Sequence, residues 1–113
     1  MLSITGTYEC KVDAKGRFMF PSALKNQLVQ VLQQGFVVKR SVFQKCLELY
    51  PMPAWEKESE RIGQLNRFRK TNVDFIRKFM AGVKTVELDN AGRCLIPKDL
   101  VKFGEISKEV VLA

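Results

Sequence analysis

Histidine is absent from this 113-residue chain. Its absence removes the Ser-His-Asp triad, the Cys-His dyad and the Cys/His zinc site in one step. The glycine-rich phosphate loops, GxGxxG and GxxxxGK[ST], are missing too. Lysines and carboxylates remain, but no spacing brings them together as a catalytic pair. The chain is therefore expected to be no enzyme, with no catalytic residue, metal, cofactor or small-molecule substrate. No apolar run is long enough to span a bilayer. Met1 to Gly6 leads straight into polar alternation where a secretory leader would stay apolar, so neither export nor membrane attachment is expected. Cysteine is sparse. Cys10, Cys46 and Cys94 are odd in number and widely spaced, which fits reduced core residues in a cytoplasmic protein and no disulfide framework.

Charge is plentiful and one-sided. Lys and Arg number 19 against 12 Asp and Glu, giving a net charge of +7. A polyanion, nucleic acid first, is the partner such a surface favours.

The sequence also repeats itself. Asp13-Ala14-Lys15-Gly16-Arg17 returns as Asp89-Asn90-Ala91-Gly92-Arg93, 76 positions later. From Val12 to Leu24 against Leu88 to Leu100, five of thirteen positions are identical and four more exchange one apolar residue for another. The chain is thus two copies of one unit with a spacer between them. A unit of roughly fifty residues buries little surface alone, so the copies are expected to share one core.

In the first copy Thr7 to Val12 alternates, with Tyr8, Cys10 and Val12 on one face, which predicts a half-buried strand. Lys84 to Leu88 is its counterpart, with Val86 and Leu88 inward. Each repeated loop has three residues between Asp and Arg with glycine last, which suits a type I turn closed by a left-handed residue. Phe18 to Phe20 and Cys94 to Ile96 are the return strands, and Pro21 and Pro97 then open helices. Leu24, Leu28, Val31 and Leu32 extend the first helix to a stop at Gly35. The second is predicted from Pro97 to about Phe103, ended by Gly104. Phe36-Val37-Val38 and Val110-Val111-Leu112 are third strands. Lys45 to Tyr50 is a fourth strand without a counterpart before Ala113, so a longer chain or a partner chain is expected to supply one. Between the copies, Pro53 to Leu65 and the stretch marked by Val73, Phe75, Ile76, Phe79 and Met80 predict two helices. Arg61 to Lys84 holds seven basic residues and one acid, Asp74.

The loop Asp-x-x-x-Arg has a plain structural use, since Asp13 and Arg17 flank a turn and their side chains meet across it, stabilising it by about 0.2–1 kcal/mol. Lys15 and Lys11 make the first loop the more basic of the two, while the second has Ala91 and only Arg93. Arg67, Arg69 and Lys70 are the denser basic cluster and candidates for phosphate contact. Tyr50 and Trp55 read as core or staple residues. Phe18, Phe20, Phe36, Phe75 and Phe79 sit at core positions, which leaves no aromatic platform for stacking single-stranded bases.

These residues together resemble the MraZ family of bacterial transcriptional regulators. The likeness runs from Asp13–Arg17 to Pro21, through Leu47-Glu48-Leu49-Tyr50 and Trp55, to Asp89–Pro97. The resemblance implies an α+β fold of two tandem swapped-hairpin repeats of the AbrB/SpoVT type, sharing a small β-barrel core with helices outside. Residues 1–50 would be the first repeat, 51–82 a helical linker, and 83–113 a second repeat shortened at its C-terminus. It implies a ring-shaped homo-oligomer in the cytoplasm, associated with the nucleoid. It further implies sequence-specific binding to direct repeats upstream of a division and cell-wall gene cluster, with repression the expected direction. The family's Asp and Arg map onto Asp13, Arg17, Asp89 and Arg93, its turn glycines onto Gly16 and Gly92, and the lysine common in its first loop onto Lys15. Expected DNA contacts are therefore Lys15, Arg17, Arg93 and Lys11. Two other readings stay open: a protein-interaction module of the swapped-hairpin antitoxin type, and an RNA-binding protein.

Overall fold

Alternation, turn glycines and prolines dictate most of the local structure. The computed structural model describes residues 6–113. In chain order the elements are β1 (Tyr8–Lys11), β2 (Arg17–Met19), α1 (Ser22–Gln27), β3 (Phe36–Arg40), β4 (Leu47–Pro51), α2 (Met52–Gly63), α3 (Lys70–Met80), β5 (Lys84–Val86), β6 (Arg93–Leu95), α4 (Lys98–Phe103) and β7 (Glu109–Leu112). The fold is mixed α and β, and its described strands form three antiparallel sheets.

Pairing crosses between the copies. β1 pairs β7, with Tyr8 opposite Leu112; β5 pairs β3, with Lys84 opposite Val38. These are equivalent pairings with the copies exchanged, since Tyr8 corresponds to Lys84 and Leu112 takes the place of Val38. β2 pairs β6 in the register Arg17–Leu95, Phe18–Cys94 and Met19–Arg93. The central pair sets a residue opposite its own repeat counterpart, so a local two-fold relation passes between Phe18 and Cys94. β3 with β4 joins two strands of the first copy, and a single bridge from Val12 to Phe18 links the end of β1 to β2.

One apolar core lies between these ribbons. Phe18, Phe20, Phe36 and Leu24 from the first copy meet Cys94, Ile96 and Leu100 from the second. Phe36 and Leu100 are fully buried, each such side chain stabilising the fold by about 1.5–3 kcal/mol. β3 is buried on both faces. Phe36 and Val38 face the shared core, while Val37 faces a second cluster with Trp55 and Phe79 on α2 and α3. The Trp55 and Phe79 rings stack with centroids 5.8 Å apart, and the Tyr50 ring meets Trp55 edge-on at 5.5 Å. Lys39, also on β3, is buried. Its ammonium donates to Glu48 Oε1 at 3.2 Å and lies 4.3 Å from the Phe79 ring centroid, so the charge is met on both sides.

Two expectations need correction, for the first helix and for Cys46. The first helix does not reach Leu32. α1 ends at Gln27, and Leu28 to Gln34 continue as turns and a 3-10 segment (Leu32–Gln34), with Val31 N–H donating to Leu28 O and Gln34 N–H to Val31 O. Val29 and Val31 are β-branched and favour a helix poorly, and Leu28 and Val31 are buried without one. α4 ends at Phe103 with Gly104 as its cap, as the sequence predicts, and the left-handed residue that follows is Glu105, at φ 53°. Cys10 and Cys94 are buried as expected, but Cys46 is exposed, because it lies in the β3–β4 loop that a Ser41 N–H to Cys46 O bond closes.

Candidate nucleic-acid interface

The two repeated loops have the same internal chemistry. Asp13 N–H donates to Arg17 O and Gly16 N–H to Asp13 O; Asp89, Arg93 and Gly92 repeat both bonds. Gly16 at φ +87° and Gly92 at φ +83° take the left-handed position that the sequence assigns to them. Asp13 Oδ1 accepts from the N–H groups of Lys15 and Arg17, each at 2.9 Å, and Oδ2 accepts from Arg17 Nε at 2.9 Å. Asp89 does the same for Ala91, Arg93 and Arg93 Nε, at 3.0, 2.8 and 2.9 Å. These bonds from the arginine backbone first, and from its guanidinium, hold both aspartates below the usual carboxylate range against a smaller opposing effect of desolvation.

Each loop is anchored on the other copy. Gly92 O accepts from Phe20 N–H at 3.0 Å, and Gly16 O accepts from Ile96 N–H at 2.9 Å. The turns therefore lie against the β2–β6 ribbon and do not stand out as separate fingers. Alternation sends Phe18 and Cys94 into the core and Arg17, Met19, Arg93 and Leu95 to the opposite face. That face carries two arginines and two half-exposed apolar side chains, Met19 at 53% and Leu95 at 50%. Each guanidinium is held at Nε by its aspartate. Among the described residues the terminal nitrogens of Arg17 and Arg93 have no partner. An aspartate thus aims each arginine and leaves its fork open.

The other expected residues lie elsewhere or in weaker settings. Lys15 is exposed at the first turn. Lys11 is exposed on β1 with Glu109 opposite it in the register, an acid that offsets its charge. Arg67, Arg69 and Lys70 are exposed where α2 runs into α3, and Lys70 Nζ lies 3.1 Å from Asp74 Oδ2. The helices they join pack through Trp55 and Phe79 onto β3, so the structure does not bring this cluster into the ribbon. Phe68, between two of these basic residues, is fully exposed, and Phe43 nearly so. Neither was among the aromatic side chains assigned to the core. Sequence reasoning also missed the outward setting of Met19 and Leu95, which the alternation around Phe18 and Cys94 already contained. Among the described residues no group of three or more Cys, Asp or Glu is arranged to hold a metal, and no helix is long and apolar enough to cross a membrane.

The chain is similar to known proteins over most of its length. The model of the family described as "MraZ protein, putative antitoxin-like" matches residues 3–78. A protein of Christiangramia forsetii named transcriptional regulator MraZ is 65% identical over 113 residues, covering 100% of this chain and 73% of the relative. Its namesake in Flavobacterium psychrophilum is 59% identical, covering 100% of this chain and 72% of its own length. In the more distant Pediococcus pentosaceus the figure is 36% over 107 residues, or 95% of this chain and 71% of the relative. With a family model across most of its length and such relatives across all of it, the chain belongs to the MraZ family, whose relatives here are named transcriptional regulators.

Proposed function

We propose that the chain is a sequence-specific DNA-binding transcriptional regulator, and that the outward face of the β2–β6 ribbon is its reading surface. The observation that carries this is the pair of arginines, Arg17 and Arg93, each steered by an aspartate and open at its terminal nitrogens. A two-stranded antiparallel ribbon fits the major groove, where arginine contacts guanine in bidentate fashion, at about 1–3 kcal/mol of discrimination per good pair. Met19 and Leu95 between them suit the methyl groups of thymine. Lys15 and Lys11 add phosphate contacts at the first loop. Arg67, Arg69 and Lys70, exposed where α2 runs into α3, serve the backbone of longer DNA.

The crossed pairing supports a reading of residues 1–50 and 83–113 as swapped-hairpin repeats of one barrel-like core, with 51–82 as a helical linker. One ribbon gives little affinity. A ring of subunits multiplies it through effective concentration. Rotation around a ring axis relates neighbours head to tail, so tandem direct repeats are the natural target. On this reading the protein acts in the cytoplasm at the nucleoid, as a repressor of a division and cell-wall gene cluster, and performs no chemical step.

The test is a fluorescence titration of duplex DNA with the native chain and with the double variant Arg17→Ala, Arg93→Ala. Binding should be lost while the thermal melt stays close to native, because each Arg–Asp pair lies at the surface, where solvent screens it. Unchanged binding would remove the ribbon from the mechanism. Competition with hairpin RNA at fixed salt, and co-purification of a small stoichiometric protein, test the RNA-binding and antitoxin readings.

A further inference from the structure

The two loops differ at one basic position: Lys15 stands before the glycine in the first, and Ala91 in the second. The copies differ again one helix further on, where Lys25 in α1 corresponds to Val101 in α4. The crossed fold brings these two differences together. A Cβ placed on Gly92 would lie 2.9 Å from Lys25 Nζ and 3.7 Å from Met19 Sδ. A Cβ on Gly16 would lie 3.7 Å from Val101 Cγ2 and 3.9 Å from Leu95 Cδ1. So α1 of the first copy covers the loop of the second, and α4 of the second covers the loop of the first. Where a loop has its own lysine, the residue covering it is Val101; where the loop lacks one, the covering residue is Lys25.

We propose that Lys25 is a DNA-contacting residue that supplies the second loop with the ammonium its own sequence lacks. The proposal rests on the ribbon as the reading surface. Lys25 is half-buried, and the end of its side chain lies against the turn, with Cε 3.9 Å and Nζ 2.9 Å from a Cβ placed on Gly92. Among the described residues the ammonium has no hydrogen-bond or ion-pair partner, although Asp89 belongs to the same loop. The ammonium and the Met19 sulfur both lie within 4 Å of where a Gly92 Cβ would stand, so Lys25 sits at the turn that leads into Arg93. Each half of the reading surface then holds one arginine and one lysine, the first pair from a single loop and the second from two copies. A phosphate oxygen is the group this arrangement suits: an unpaired ammonium beside an arginine fork gives charge without base preference.

The experiment measures binding of the full chain to a fluorescent duplex of mixed sequence at several salt concentrations. It compares the native chain with Lys15→Met, Lys25→Met and the double variant Lys25→Met, Ala91→Lys. Methionine keeps the apolar stem over Gly92 and removes only the charge, and thermal melts check that the fold is kept. Lys25→Met should weaken binding at low salt and lower the log–log salt slope by about 0.9, as for any lost phosphate contact. The added Ala91→Lys should restore the slope. A Lys25→Met slope equal to native, with Lys15→Met lowered, overturns the proposal and leaves the ribbon reading intact. If neither the lysine variants nor the arginine double variant changes binding, both readings fall.

Discussion

Phe18 and Cys94 face each other across the β2–β6 pairing, and each is the other's counterpart in the repeat. A large ring opposes a small thiol on the local two-fold, and both are buried, at 4% and 2% exposure. The ring fills space that two small side chains would leave empty. Phe18→Ala should therefore cost about 3–5 kcal/mol in urea unfolding, the range for a buried phenylalanine. A loss below about 1 kcal/mol would mean that the two copies do not share this core.

The cysteines divide by burial. Desolvation raises the Cys94 thiol to about 11 and the Cys10 thiol above its ordinary value, while Cys46 is exposed. The thiolate is the reactive form. Brief alkylation at neutral pH should label Cys46 alone, and denaturation should expose the other two thiols, as read by peptide mass. Rapid labelling of Cys94 in the folded protein would contradict the packing.

Two glycines, one closing a hairpin turn and one ending α4, should behave differently. Gly16 at φ +87° has Ile96 O at 3.2 Å from any added Cβ, so Gly16→Val brings both a disfavoured backbone and a clash with main chain. It should lower the melting temperature sharply. Gly104, at φ −81°, meets only ordinary contacts near 3.4 Å, so Gly104→Ala should stay within about 1 kcal/mol of native. Equal melts for the two variants would mean that the turn is misassigned.

Acid should loosen the loops late. Asp13 and Asp89 have folded pKa values below the ordinary 3.8, because the arginine N–H groups favour the charged carboxylate. A lowered folded value contributes stability above the unfolded pKa, and that stability is lost as pH falls through the folded value. NMR titration should place both carboxylates below 3.8. Values at or above the ordinary range would mean that the loop bonds are absent.

The sequence made the loops legible in detail, because the repeat marks the Asp, Gly and Arg that close each turn, and glycine is the one residue at ease at φ +87°. Alternation placed Tyr8, Cys10, Phe18 and Cys94 inward. It did not say which strands pair, since the register of β1 on β7 depends on contacts at the far end of the chain. For the same reason nothing local in the sequence singles out Lys25, which the crossed pairing sets over Gly92. The early end of α1 and the left-handed Glu105 also escaped, both being settled by packing where local preference is weak. An ion pair of Lys45 with Glu105 at 2.7 Å accompanies that left-handed residue and has no trace in local sequence.

The most direct measurement is the salt dependence of duplex DNA binding by the full chain. Log affinity should fall in a straight line with log salt, each neutralised phosphate adding about 0.9 to the slope, and the variants that lose a lysine should show a shallower fall. Affinity that stays level from low to high salt would contradict it.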